Sequence, residues 1–122
     1  MHRVVHFEIS ADNPVRASQF YSDLFGWTFQ HWQGGAEDYW MVITGPADQP
    51  GINGGMFIRK GPIGHVNTVD VENIDAAAAR VVELGGEIVL QKTVIPGVGY
   101  NMYCKDTEGS IFGLYQNDPG AH

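Results

Sequence analysis

Residues 6–27 read HFEISADNPVRASQFYSDLFGW, and residues 64–86 read GHVNTVDVENIDAAAARVVELGG. Each stretch opens on an apolar/polar alternation, passes an Asn able to cap a helix, continues with apolar residues at helical spacing and stops at glycine. An offset of 59 residues superimposes His6 on His65, Val15 on Ile74, Ala17 on Ala76, Phe25 on Leu84, Gly26 on Gly85 and Phe29 on Ile88. The chain therefore reads as one strand-and-helix module written twice, with a histidine at the same point of each first strand. Two units fall short of the three or so that a stacked solenoid needs, so a paired, pseudo-symmetric fold is the expectation.

Working outward, residues 3–10 alternate as a strand with Val5, Phe7 and Ile9 on one face and His6, Glu8 and Ser10 on the other. Asp12, Asn13 and Pro14 start a helix whose apolar stripe is Val15, Ala17, Phe20, Tyr21, Leu24 and Phe25, ended by Gly26. Strands are expected at 27–32, 39–44 and 55–60, with a Gly-containing turn at 33–38 and a Pro-bearing loop at 45–51. The second half repeats the order. A strand at 65–71 leads to a helix at 74–84 capped by Asn73, then to strands at 87–95, 99–105 and 110–116, with a DTEG turn at 106–109 and a loose tail at 119–122.

This order, βαβββ twice, predicts an α+β fold. One curved mixed sheet would surround a bowl and carry both helices on its outer face. One domain is expected over residues 1–122, with module 1 at about 3–60 and module 2 at about 64–117, because a chain of 122 residues is long enough for one core but marginal for two. The single Cys104 excludes an internal disulfide, and residues 1–10 hold no apolar run of signal-peptide or membrane-span length, so a cytoplasmic protein is the expectation. A net charge of -7 without a basic cluster opposes nucleic-acid binding and gives no reason to expect a membrane partner. The acidic charge leaves a cationic small molecule or simple solubility as its meaning, solubility being the safer reading, and a small-molecule ligand is the partner expected of the inward face.

If the strand assignments hold, His6, Glu8, His65 and Asn67 point into the bowl, opposite the helix-facing residues. Tyr39, Trp40, Met56, Tyr100, Met102, Tyr103 and Tyr115 would line or flank it, giving an apolar cavity with a few polar anchors such as Asn67, Asn101 and Gln116.

On these residues, with IPGVGYNMYCKDTEGSIFGLYQ at 95–116, the chain resembles the vicinal oxygen chelate superfamily. That group contains glyoxalase I, extradiol dioxygenases, fosfomycin-resistance enzymes and bleomycin-resistance proteins. The resemblance implies a divalent metal (zinc, nickel, manganese or iron) held in the bowl by histidines of the first and fifth strands and carboxylates of the fourth and eighth. His6 and His65 match the histidine positions. The eighth-strand carboxylate falls at Gly113, and GGMFIRK at 54–60 offers no acid, so two of the four ligands are missing. Glu8, about 6.5–7 Å along the strand from His6, is the candidate to complete a metal set of His6, His65 and Glu8. Asn67, Tyr100, Met102 and Tyr115 are the candidate substrate-binding residues.

Two functions follow from the resemblance. One is a glyoxalase-like enzyme, a metal-dependent lyase or isomerase or a dioxygenase-like catalyst, that stabilises an enolate or similar anion. The other is a non-catalytic sequestering protein like the bleomycin-resistance proteins, for which the acidic balance favours a cationic ligand. The resemblance also implies a homodimer.

Overall fold

The computed structural model describes residues 1–33 and 37–122. Its elements run β1 (Val4–Ala11), α1 (Pro14–Phe25), β2 (Thr28–Trp32), β3 (Tyr39–Ile43), β4 (Gly54–Ile58), β5 (Val66–Asp70), α2 (Ile74–Glu83), β6 (Glu87–Ile95), β7 (Gly99–Lys105) and β8 (Ile111–Asn117). The α+β class and the doubled βαβββ order are as the sequence predicts. The middle of the turn expected at 33–38 lies outside the described residues. No helix among the described residues is long and apolar enough to cross a membrane.

The chain forms two compact units, Val5–Val66 and Met1–Val4 with Asn67–His122. In the first, the strands lie in the order β2-β3-β4-β1, with β1 parallel to β4 and the other pairs antiparallel. Phe7, Ile9, Ala11, Met56, Val42, Trp40 and Phe29 share the face beneath α1 and meet Ala17, Tyr21 and Trp27 there. The helix begins where Asn13 Oδ1 accepts the Arg16 N–H at 3.0 Å and Pro14 fills the first turn. It ends at Gly26, whose φ of 76° suits glycine and whose N–H donates to the Ser22 carbonyl. The expected apolar stripe is narrower than its spacing suggests. Ala17 and Tyr21 pack against the core, whereas Val15, Phe20, Leu24 and Phe25 are exposed.

In the second unit the order is β5-β8-β7-β6, again with a parallel first pair. Val71, Ile74, Met102, Cys104 and Leu114 form its core, with Ala77, Ala78 and Val81 of α2 packed on top. Asn73 caps α2 as Asn13 caps α1, its side chain accepting from the Ala76 N–H. The C-terminal tail is docked rather than loose. Ala121 is 3% exposed, its N–H donates to the Asp118 carbonyl, and its own carbonyl accepts the Gly97 N–H.

The two caps correct the repeat. Asn13 and Asn73 are 60 residues apart, so the module offset through the first strand and helix start is 60, not 59. From the helix ends onward the offset is 59, as Gly26 and Gly85, the starts of β2 and β6, and the core-packed Phe29 and Ile88 show, because α2 is shorter than α1. By the caps, the position equivalent to His6 is Val66. A one-residue slip along a strand exchanges its two faces.

Candidate functional site

The first unit gathers three polar side chains on the face of its sheet away from α1. His6 and Glu8 leave β1 on that face, and Tyr39 leaves β3 on it, two strands away. Tyr39 crosses β4 because Gly55 stands between, with no side chain of its own. A Cβ at Gly55 would lie 1.7 Å from the Tyr39 hydroxyl and 2.1 Å from Cζ, so the ring occupies the space a side chain would fill. On the other face a Cβ at Gly54 would meet the carbonyl oxygen of its strand partner Phe7 at 2.4 Å and the Phe7 ring at 2.8 Å. The Gly54–Gly55 pair thus admits one aromatic ring on each side of a single strand.

The Tyr39 hydroxyl donates to Glu8 Oε2 at 2.8 Å and lies 2.8 Å from His6 Nε2. Because the hydroxyl proton goes to Glu8, the His6 contact is completed by an Nε2–H donating to the phenolic oxygen. Glu8 is 6% exposed, while His6 and Tyr39 are half-buried. Burial pushes the His6 pKa below its ordinary 6.5, and the neighbouring Glu8 charge pulls it partly back, so the ring is neutral at pH 7. Ser10, on the same face, is buried with its Oγ unpaired among the described residues.

His65 does not join this group. It precedes β5 instead of lying in it, is exposed, and lines a hollow on the α1 side of the sheet with Ile9, Ala11 and Arg59. Its expected inward direction followed from the offset of 59, and the slip described above removes it. Among the described residues no three His, Cys, Asp or Glu side chains gather as a group able to hold a metal ion. The expected metal set of His6, His65 and Glu8 does not fit this geometry. Glu8 and His6 share a phenol, and His65 is on the opposite face.

In the second unit the expected substrate-binding residues separate. Met102 is 4% exposed in the core under α2, and Tyr100 packs against that core. Neither lines an open face, because the β7 face that carries them is the one α2 covers. Asn67 is exposed, but it alternates with Thr68 and so shares the side of Val69, whose partner Leu114 is core. Tyr115 does lie on the uncovered face, in register with Asp70 and Asn101. Burial raises its pKa and the Asp70 charge adds to the rise, while its hydroxyl sits 3.2 Å from both the Val98 carbonyl and Asn117 Oδ1. Gly113 is opposite Thr68, and a Cβ there would meet Thr68 Oγ1 at 2.8 Å. Thr68 therefore takes the room beside the position where the resemblance expects a carboxylate.

Tyr39 is the site residue whose role the sequence hid, since it was expected only as bowl lining. The cue was the double glycine of the fourth strand, a sign of close approach by something else.

Residues 3–114 match the family described as the Glyoxalase/Bleomycin resistance protein/Dioxygenase superfamily. No curated protein matches the chain. Among solved structures, methylmalonyl-CoA epimerase from Mycobacterium tuberculosis is similar at a TM-score of 0.66 and 15% identity, covering 94% of this chain and 87% of that one. A variant of the Streptomyces coelicolor methylmalonyl-CoA epimerase in complex with 2-nitronate-propionyl-CoA gives 0.69 and 14%, over 100% of this chain and 99% of that one. A superfamily member from Vibrio splendidus gives 0.65 and 18%, over 97% and 100%. At these identities the likeness is one of fold.

Proposed function

The chain belongs to the Glyoxalase/Bleomycin resistance protein/Dioxygenase superfamily, and from that premise we propose that it is a glyoxalase-like isomerase or lyase that moves a proton beside a carbonyl group of a small molecule. The observation that carries the reading is the Tyr39 hydroxyl held between His6 and a buried Glu8. When the phenolic oxygen takes a proton from an acidic carbon, its own proton passes along the 2.8 Å bond to Glu8 Oε2. The His6 Nε2–H meanwhile stabilises charge developing on the phenolic oxygen. The reverse transfer returns a proton to carbon. Neutral His6 suits this role, since its remaining ring nitrogen need not carry a proton.

Members of the superfamily often bind divalent metals. The residues gathered here do not fit one, and no step is assigned to a metal. Carbon acids next to a thioester are the first substrates to test, because the epimerases of like fold carry acyl-CoA ligands. A homodimer remains part of the reading. It is supported by β6, a nine-residue strand at the end of the order with Val89, Leu90 and Val94 exposed, which is the kind of edge that pairs with another chain.

The test is exchange of the substrate α-proton in deuterated water, with methylmalonyl-CoA and the hemithioacetal of methylglyoxal and glutathione as probes. Exchange slowed roughly 10²–10⁴-fold by Tyr39→Phe and by Glu8→Gln supports the reading. Wild-type exchange that neither substitution alters overturns the assignment of these residues. The sequestering alternative is favoured by Gly113, where Thr68 crowds out an acid. Tight binding of either probe without exchange would establish it instead.

A further inference from the structure

On the face of β1 turned toward α1, away from His6 and Glu8, lies a hollow of about 430 Å³, within the range of small-molecule sites. Its floor is apolar, made by the buried Ile9 and Ala11. Phe20 and Tyr21 form one wall, their rings edge-to-face at 5.3 Å. The rim is cationic. Arg16 and Arg59, two of the seven Lys and Arg residues in a chain of net charge -7, meet there with His65.

The two arginines differ in how they are held. Arg59 is fixed by its own backbone, whose N–H donates to the Ala11 carbonyl, and by its Nε, which donates to Asp12 Oδ1 at 3.0 Å. Its terminal nitrogens have no hydrogen-bond partner among the described residues. The Arg16 side chain makes neither an ion pair nor a hydrogen bond among them. Asp12 offsets one positive charge, so the two arginines leave the rim a net excess of one. The α1 terminus is not the attraction, because Asn13 already caps it. What remains is a pair of forked donors above an aromatic corner.

We propose that this hollow is a second small-molecule site, which takes an amphipathic anion with a carboxylate or phosphate monoester on an aromatic body. The acid group is held by Arg16 and Arg59, whose planar forks match either oxyanion. The ring packs on Phe20 and Tyr21 over the apolar floor. The site does not depend on the proton-transfer reading: His6, Tyr39 and Glu8 do not line it, and Ser10, which does, takes no part in that reading.

Titration calorimetry of the full chain with phenyl phosphate, benzoate, inorganic phosphate and benzyl alcohol tests the proposal. The expected result is saturable one-to-one binding of the two aromatic anions, with both inorganic phosphate and benzyl alcohol at least about tenfold weaker. Phenyl phosphate ahead of benzoate makes a phosphate monoester the acid group, and the reverse order makes it a carboxylate. Arg16→Gln and Arg59→Gln should each weaken binding about tenfold or more, the loss of one charge-assisted hydrogen bond. Tyr39→Phe, on the opposite face, should leave it unchanged. The Arg16 side chain has no partner among the described residues to lose, so Arg16→Gln reports on the ligand even if Arg59→Gln loosens the loop. Absence of saturable binding up to about 10 mM, equal affinity for inorganic phosphate, or weakening by Tyr39→Phe but not by Arg16→Gln would overturn the site.

Discussion

Placing a methyl group on Gly55 should dismantle the candidate site from beneath. The Cβ of Gly55→Ala would sit 1.7 Å from the Tyr39 hydroxyl, 2.1 Å from Cζ and 2.5 Å from Cε2, so the ring must leave its place. Its hydrogen bonds to Glu8 and His6 go with it. A bond to a carboxylate is worth about 1.5–3 kcal/mol and a neutral one about 0.5–1.5 kcal/mol. Against this, replacing glycine within a strand returns roughly 0.5–1 kcal/mol of backbone entropy. The net expectation is a loss of about 1–4 kcal/mol, read by urea denaturation. The loss should depend on the ring. In a Tyr39→Ala background the space is empty, and Gly55→Ala should then cost nothing or stabilise slightly, giving a coupling well above the ~0.5 kcal/mol seen for independent sites. Stability of Gly55→Ala within about 0.5 kcal/mol of wild type, or the same cost in both backgrounds, would refute the account of why this strand carries glycine.

The pH dependence of stability should show His6. Its folded pKa is below 6.5, so the unfolded chain binds the proton more readily, and stability present above pH 6.5 is lost as pH falls from that value toward the folded pKa. His6→Asn should flatten this slope in thermal melts at pH 5 and pH 7.5. Asn73→Ala removes the acceptor for the Ala76 N–H and should cost about 1 kcal/mol, seen as a lower denaturation midpoint with an unchanged slope. Equilibrium dialysis against zinc, nickel, manganese and iron should find no stoichiometric ion that depends jointly on His6, His65 and Glu8. An ion lost in all three alanine variants would reverse the account of His65.

The α+β class, the doubled module and each element were readable because apolar periodicity, Asn caps and glycine stops repeat in both halves. The site was readable only in part. His6 and Glu8 were placed on the correct face, since β1 alternates cleanly. His65 and Asn67 were not, because pairing the two histidines set an offset of 59 where the caps require 60, and one residue is enough to turn a strand over. Tyr100 and Met102 were expected on the wrong side of β7 for a different reason. Both of its faces carry bulky residues, with Tyr103 on one and Met102 and Cys104 on the other, so only the position of α2 shows which is core. The Tyr39 contact spans three strands, and no spacing within the chain announces a ring that lies over a glycine.

The shared Tyr39 hydroxyl is tested most directly by following the His6 ring nitrogens by ¹⁵N NMR across pH. The account predicts a proton on Nε2 in the neutral ring, a midpoint below 6.5, and a further fall in Glu8→Gln, where the carboxylate that favours the charged ring is gone. A His6 that titrates at 6.5, carries its proton on Nδ1 and ignores Glu8→Gln would contradict it.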